Sequence, residues 1–213
     1  MPASSDSVDV PQEAATVAAS YRRLERPISG AVAILVALVA GVAVLLLPLL
    51  WGVAVALAAL AAIRLPLFRS RGTTTLVTDA DTGAVRDDFE SACPPPLSFQ
   101  WGIADGIERT DDGWTYTVSY LFGLRSVEMT VECNEVDDGD LELVATAGGR
   151  SWGTYYVTID ERDDKTVIDV EHRSDRRFGL QRLPQWLVAR RYREQALEAQ
   201  GYGVVERDAG LSI

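Results

Sequence analysis

Apolar positions along the chain fall into two regimes: one unbroken, uncharged run at residues 28–63, and, after residue 72, short alternations separated by turn residues. As a single helix the first run would be roughly 54 Å long at about 1.5 Å per residue, nearly twice a hydrocarbon core of about 30 Å. Pro48 divides it, because proline donates no backbone hydrogen bond and its ring clashes with the carbonyl of Val44. Gly52 adds backbone freedom beside the break. The halves 28–47 and 49–68 each approach the ~20 apolar residues that cross a bilayer once, so the pattern predicts a transmembrane helical hairpin. Arg64 lies near an end and can snorkel, and Gly30, Ala37, Gly41, Ala56, Ala59 and Ala62 permit close helix contact.

The flanks speak to orientation. Arg22, Arg23 and Arg26 precede the run and Arg64, Arg69 and Arg71 close it, and basic residues gather on the cytoplasmic side of membrane spans. Two spans put both clusters on one face, so the expectation is a multi-pass cell-membrane protein with both termini cytoplasmic. A twin-arginine export signal competes for Arg22-Arg23, but the run is far longer than a signal core and lacks a small-residue cleavage site. The resulting division is a disordered acidic tail at 1–20, the hairpin with its basic flanks at 21–71, and one domain at 72–213.

Within that domain, 73–78 reads as a strand and 80–92 as a helix with Val85 and Phe89 on one face, ended by the prolines at 94–96. Alternation at 97–103 places Leu97, Phe99, Trp101 and Ile103 together and predicts a strand. Five more strands follow at 114–122, 126–133, 141–146, 153–160 and 166–172, divided by Asp112-Gly113, the acidic turn at 137–140, Gly148-Gly149 and Asp163-Asp164. The acidic turn lacks the later ligands of a calcium loop. The last element is a helix at 183–200, with Pro184 in its first turn, Gly201 as its stop, and Val188, Tyr192, Ala196 and Ala199 in one stripe. The expected fold class is α+β: a curved antiparallel sheet of about seven strands wrapped on a long C-terminal helix, behind the transmembrane hairpin.

This order, one strand, a helix, six strands and a closing helix, resembles the helix-grip (SRPBCC) superfamily, which includes polyketide cyclases, lipid-transfer START domains and birch-pollen-allergen-like proteins. The stretch RRFGLQRLPQWLVARRYREQALEAQGY is similar to the long C-terminal helix of that group, and the resemblance covers about 73–207. It rests on element order rather than a catalytic motif. One departure is that the group often has two short helices after the first strand, where here the prolines at 94–96 occupy the second position. The resemblance implies an apolar cavity between sheet and helix.

Composition narrows the chemistry. Acids outnumber bases 31 to 20 for a net charge of −11, which argues against nucleic acid, since phosphates are bound by basic surface. Lys165 is the single lysine among the bases, and with the acidic surface this suggests a salt-adapted, halophilic cytosol. Two cysteines, Cys93 and Cys133, form no CxxC pair and the chain has one histidine, so neither a metal nor another cofactor is expected.

The inward strand positions carry Trp101, Trp114, Tyr116, Tyr120, Met129, Cys133 and Tyr155. Such a set either fills a core or lines a cavity. As ligand-binding candidates the residues are Trp101, Tyr116, Tyr120, Met129, Tyr155, His172 and Tyr192. His172, on the side of Ile168 and Val170, is either a structural histidine or the acid–base residue of a cyclase or hydrolase. The arginines at 173, 176, 177, 182, 190, 191 and 193 stand against Asp175 alone. Of these, Arg182, Arg190 and Arg193 are candidates for a lipid headgroup or the anionic membrane surface, the alternative being ion pairing with the acidic strands. The functional expectation is a membrane-tethered domain that binds a hydrophobic small molecule such as a lipid or isoprenoid, rather than an enzyme. The other reading is an interaction module with a solid core.

Overall fold

The computed structural model describes residues 8, 10–120, 124–136 and 139–212, with backbone alone for residues 25, 26, 28, 29, 120, 209 and 212. Helices α1 (Gln12–Leu46) and α2 (Leu49–Arg64) are followed by strand β1 (Phe68–Thr78), helix α3 (Thr82–Glu90), a 3-10 turn (Pro95–Leu97) and helix α4 (Ser98–Trp101). Six strands succeed one another: β2 (Gly106–Thr110), β3 (Gly113–Tyr120), β4 (Arg125–Glu135), β5 (Leu141–Ala147), β6 (Arg150–Arg162) and β7 (Lys165–Phe178). A 3-10 turn (Leu180–Arg182) leads to helix α5 (Leu183–Glu198), and strand β8 (Gly203–Ser212) closes the chain. The strands make one antiparallel sheet in the order β2-β3-β4-β5-β6-β7-β1-β8.

The meander from β2 to β7 follows from short turns whose residues supply the required backbone. Asp163 and Asp164 both have positive φ, as do Gly148 and Gly149, and two such residues in succession match the right-handed twist of a tight hairpin. β1 then lies beside β7, and the chain returns through α5 to set β8 on the far side of β1. The core lies on one face of this sheet. Strand β5 alternates strictly, burying Leu141, Leu143, Ala145 and Ala147, and α3, capped by Asp81 accepting from the Ala84 amide at 2.9 Å, lowers Val85 and Phe89 onto that face. Each fully buried leucine, valine or phenylalanine of this kind contributes about 1.5–3 kcal/mol.

Three expectations need correction. Residues 97–103 are not a strand: the prolines preset a helical φ, and the segment becomes the 3-10 turn and α4, with the Trp101 indole donating back to the Pro94 carbonyl at 2.9 Å. The strand in that place is β2, and the sheet has eight strands among the described residues because 203–212, beyond the helix stop at Gly201, pairs along β1. Part of the acidic turn, 137–138, and residues 121–122 of the third expected strand, 114–122, lie outside the described residues.

The third correction concerns the membrane. The chain does break at Leu47 and Pro48, and α1 and α2 pack together, with a Cβ on Gly52 meeting the Val44 backbone at 2.7 Å. Among the described residues, however, no helix is long and apolar enough to cross a membrane. α2 has 16 residues, about 24 Å, short of a core of about 30 Å, and the apolar stretch of α1 is the last part of a 35-residue helix that begins at Gln12. The first turns of α1 are instead docked on the domain: Ala14 and Ala18 are fully buried, and a Cβ on Gly102 would lie 2.8 Å from that of Ala18. The expected transmembrane hairpin, the two-span cell-membrane localisation and the cytoplasmic placement of both termini are therefore not what the molecule shows. Both helices leave large apolar side chains exposed, among them Leu45, Leu50 and Trp51.

Candidate functional site

Register builds the floor of the site. Tyr155 of β6 stands opposite His172 of β7, which stands opposite Gly72 of β1. Two residues further along the same face, Val170 of β7 opposes Thr74 of β1, which opposes Arg207 of β8. Gly72 brings no side chain to the middle of this floor. α5 forms the roof with Trp186, Arg190, Arg193 and Leu197, whose spacing of four, three and four puts them on one helical face. Floor and roof border a partly open cavity of about 60 Å³. A water needs roughly 10–15 Å³ by the same measure, so this volume takes a few waters or a small polar group, not a chain.

The cavity shares Ser70, Tyr155, His172, Trp186 and Arg193 with a second space, an open groove of about 1260 Å³. One wall of the groove is apolar, with Val36 and Ala40 of α1 and Ala56 and Leu60 of α2, and the other is polar, with Ser174, Arg176, Arg182 and Gln185. Ligand pockets typically measure about 300–1000 Å³. The groove exists because α5 divides its contacts. Its Tyr192 ring lies 5.9 Å from Tyr21 of α1, which stacks on Phe99 at 4.8 Å, so α1 leans on α5 at this level and stands clear of the sheet beyond it.

Electrostatics separate the cavity from the acidic remainder of the protein. Arg190 and Arg193 lie over the rings of Trp186 and Phe99 at 5.5 and 5.8 Å, and Arg207 donates to the Arg190 carbonyl at 3.2 Å. Among the described residues none of the three has a carboxylate within ion-pair distance, and the Arg207 Nε is enclosed without a hydrogen-bond partner. Burial, then the charges of Arg193 and Arg190, brings Arg207 down to about 10, with Glu194 opposing. Burial also brings His172 down to about 4, helped by Arg193 and Arg207 and opposed by Asp175, so its imidazole is neutral near pH 7. The ring rests against Tyr155 at 4.7 Å, whose phenol is pushed up by burial. No described side chain hydrogen-bonds the imidazole, and burial holds it in the neutral form.

The residues expected to bind ligand divide between two places. Tyr155 and His172 line the cavity, as do Arg190 and Arg193, while Arg182 is exposed on the groove. Trp101, Tyr116 and Met129 fill the packed core instead: Tyr116 is fully buried, donating its hydroxyl to the Ala92 carbonyl at 3.1 Å. Tyr192 packs towards α1, and the Tyr120 side chain lies outside the described residues. Trp186, Leu197, Gly72 and Arg207 were not anticipated. The helical spacing of Trp186 and Leu197 with Arg190 and Arg193 is legible in the sequence, but the place of Arg207 depends on β8 joining β1. No group of three or more metal-ligating side chains occurs among the described residues.

No protein-family model matches the sequence, and no curated protein matches it. Solved structures similar to the chain include a conserved protein from Geobacillus kaustophilus, at 10% identity and a TM-score of 0.44, covering 61% of this chain and 91% of that one. A START superfamily protein from Mycobacterium smegmatis has 13% identity and a TM-score of 0.42, covering 62% and 97%. A protein from Rhizobium leguminosarum has 15% identity and a TM-score of 0.31, covering 61% and 97%.

Proposed function

We propose that this protein binds a hydrophobic small molecule of the lipid or isoprenoid class, with its apolar body in the groove beside α1 and α2 and one end in the cavity beneath α5. The observation that carries the reading is the continuity of the two spaces. An apolar-walled groove of about 1260 Å³ narrows, through Tyr155, His172 and Trp186, into a cavity of about 60 Å³. Apolar area removed from water supplies about 25 cal/mol per Å², so an elongated apolar molecule gains most by lying along the groove wall. A second reading, an interaction module with a solid interior, draws on the close packing of Trp101, Tyr116 and Met129 in the core.

The test is displacement of N-phenyl-1-naphthylamine, a neutral fluorescent hydrophobe, by dodecanol from the full chain. Ala40→Trp fills the groove, and Leu50→Trp alters an exposed apolar position that does not line it. Binding displaced by dodecanol is expected in the parent, weakened at least about tenfold, or about 1.4 kcal/mol, in Ala40→Trp and retained in Leu50→Trp. Absence of displaceable binding in the parent, or equal loss in both variants, sinks the proposal and leaves the interaction module.

A further inference from the structure

We infer that the cavity beneath α5 is an anion site: it takes the acidic head of an amphiphile, a carboxylate or phosphate whose oxygens accept from Arg190, Arg193 and Arg207. This rests on the ligand-binding reading above and adds the chemistry of the ligand's polar end. Three independent features converge. First, two successive elements of different kinds bring guanidinium groups to one small cavity: α5 contributes Arg190 and Arg193, and β8, placed by its pairing with β1, contributes Arg207. Second, these cations are uncompensated. In a chain with 31 acidic residues, no described carboxylate lies within ion-pair distance of any of the three. The nearby acids act from further off, and Asp175 is engaged by the Ser151 hydroxyl. Third, the Arg207 Nε is enclosed without a partner, although a buried guanidinium donor left unbonded is costly.

The neighbours fit the same role. Neutral His172 and the Tyr155 hydroxyl line the cavity without adding a negative charge. The Trp186 and Phe99 rings support Arg190 and Arg193, leaving their N–H groups available for planar, bidentate recognition of oxygens. The cavity volume of about 60 Å³ suits a head group alone, and the shared lining at Tyr155, Trp186 and Arg193 directs an attached chain into the groove.

The experiment measures dodecanoate, dodecyl phosphate and dodecanol as competitors of N-phenyl-1-naphthylamine on the full chain. At least one acid is expected to bind about tenfold or more tightly than the alcohol, and raised salt should narrow the gap. A preference for dodecyl phosphate assigns a phosphate head, and a preference for dodecanoate a carboxylate. Arg193→Gln and Arg207→Gln should each reduce the affinity ratio of acid to alcohol about tenfold. Near-ultraviolet circular dichroism checks folding, and because Arg207 also bonds the backbone, Arg193→Gln decides the matter if Arg207→Gln unfolds. Equal binding of acids and alcohol, or acid preference that survives Arg193→Gln in the folded protein, overturns the anion site while the hydrophobic site stands. Binding of none of the three overturns both.

Discussion

His172 offers a test in which one substitution isolates one proton. Its imidazole, ordinarily at 6.5, is brought to about 4 by burial and by Arg193 and Arg207. The unfolded chain therefore takes up a proton before the folded one as the pH falls. The stability that His172 contributes is fully present above about pH 6.5 and declines progressively below it, the loss being complete below about pH 4. At about 1.36 kcal/mol per tenfold change in proton affinity, the whole effect is about 3 kcal/mol. At pH 5.5, clear of the isoelectric point near 4.6, the expected loss relative to pH 8 is about 1 kcal/mol. Urea unfolding of the parent and of His172→Gln, followed by tryptophan fluorescence at both pH values, gives the difference directly, because the carboxylates that also titrate are common to both proteins. His172 is the single histidine, so its Cε1–Hε1 resonance is unambiguous and its midpoint should fall near 4. A midpoint at or above 6.5, or the same pH dependence in parent and variant, would refute the account of a histidine desolvated among cations.

Two further outcomes test the packing that frames the site. Tyr116→Phe removes the donor to the buried Ala92 carbonyl and should cost about 1–3 kcal/mol in denaturant unfolding without changing displacement of the naphthylamine probe, since Tyr116 belongs to the core and not to the cavity. Gly179→Ala should cost about 1–3 kcal/mol, because its Cβ would stand 2.5 Å from the Ile63 carbonyl oxygen and 3.1 Å from that of Leu65, both fixed backbone; an unchanged unfolding midpoint would mean that α2 does not rest there.

What the sequence settled unaided was whatever short-range chemistry decides. Period-two alternation placed strands β3 to β7, paired turn residues separated them, Pro48 marked the break between α1 and α2, and Pro184 and Gly201 bracketed α5. Local rules failed where two elements share a pattern. The alternation of Leu97, Phe99 and Trp101 fits a strand, but a proline run with an indole bonded back to Pro94 makes a compact turn and helix. The apolar run suggested two crossings, but α2 stops at Arg64 after 16 residues, and α1 begins at Gln12 with its first turns docked on the domain.

Core and cavity are indistinguishable in one dimension, because an inward aromatic residue is the same residue whether a helix covers it or not. Tyr116 and Tyr155 occupy equivalent inward positions on their strands, yet Tyr116 lies beneath the Ala92 carbonyl in the packed core while Tyr155 meets the gap below α5. Arg190 and Arg193 could be singled out by charge alone. Their association with Arg207 required β8 to pair with β1, a contact between residues more than a hundred positions apart, and no local pattern encodes which strand edge a terminal segment will find.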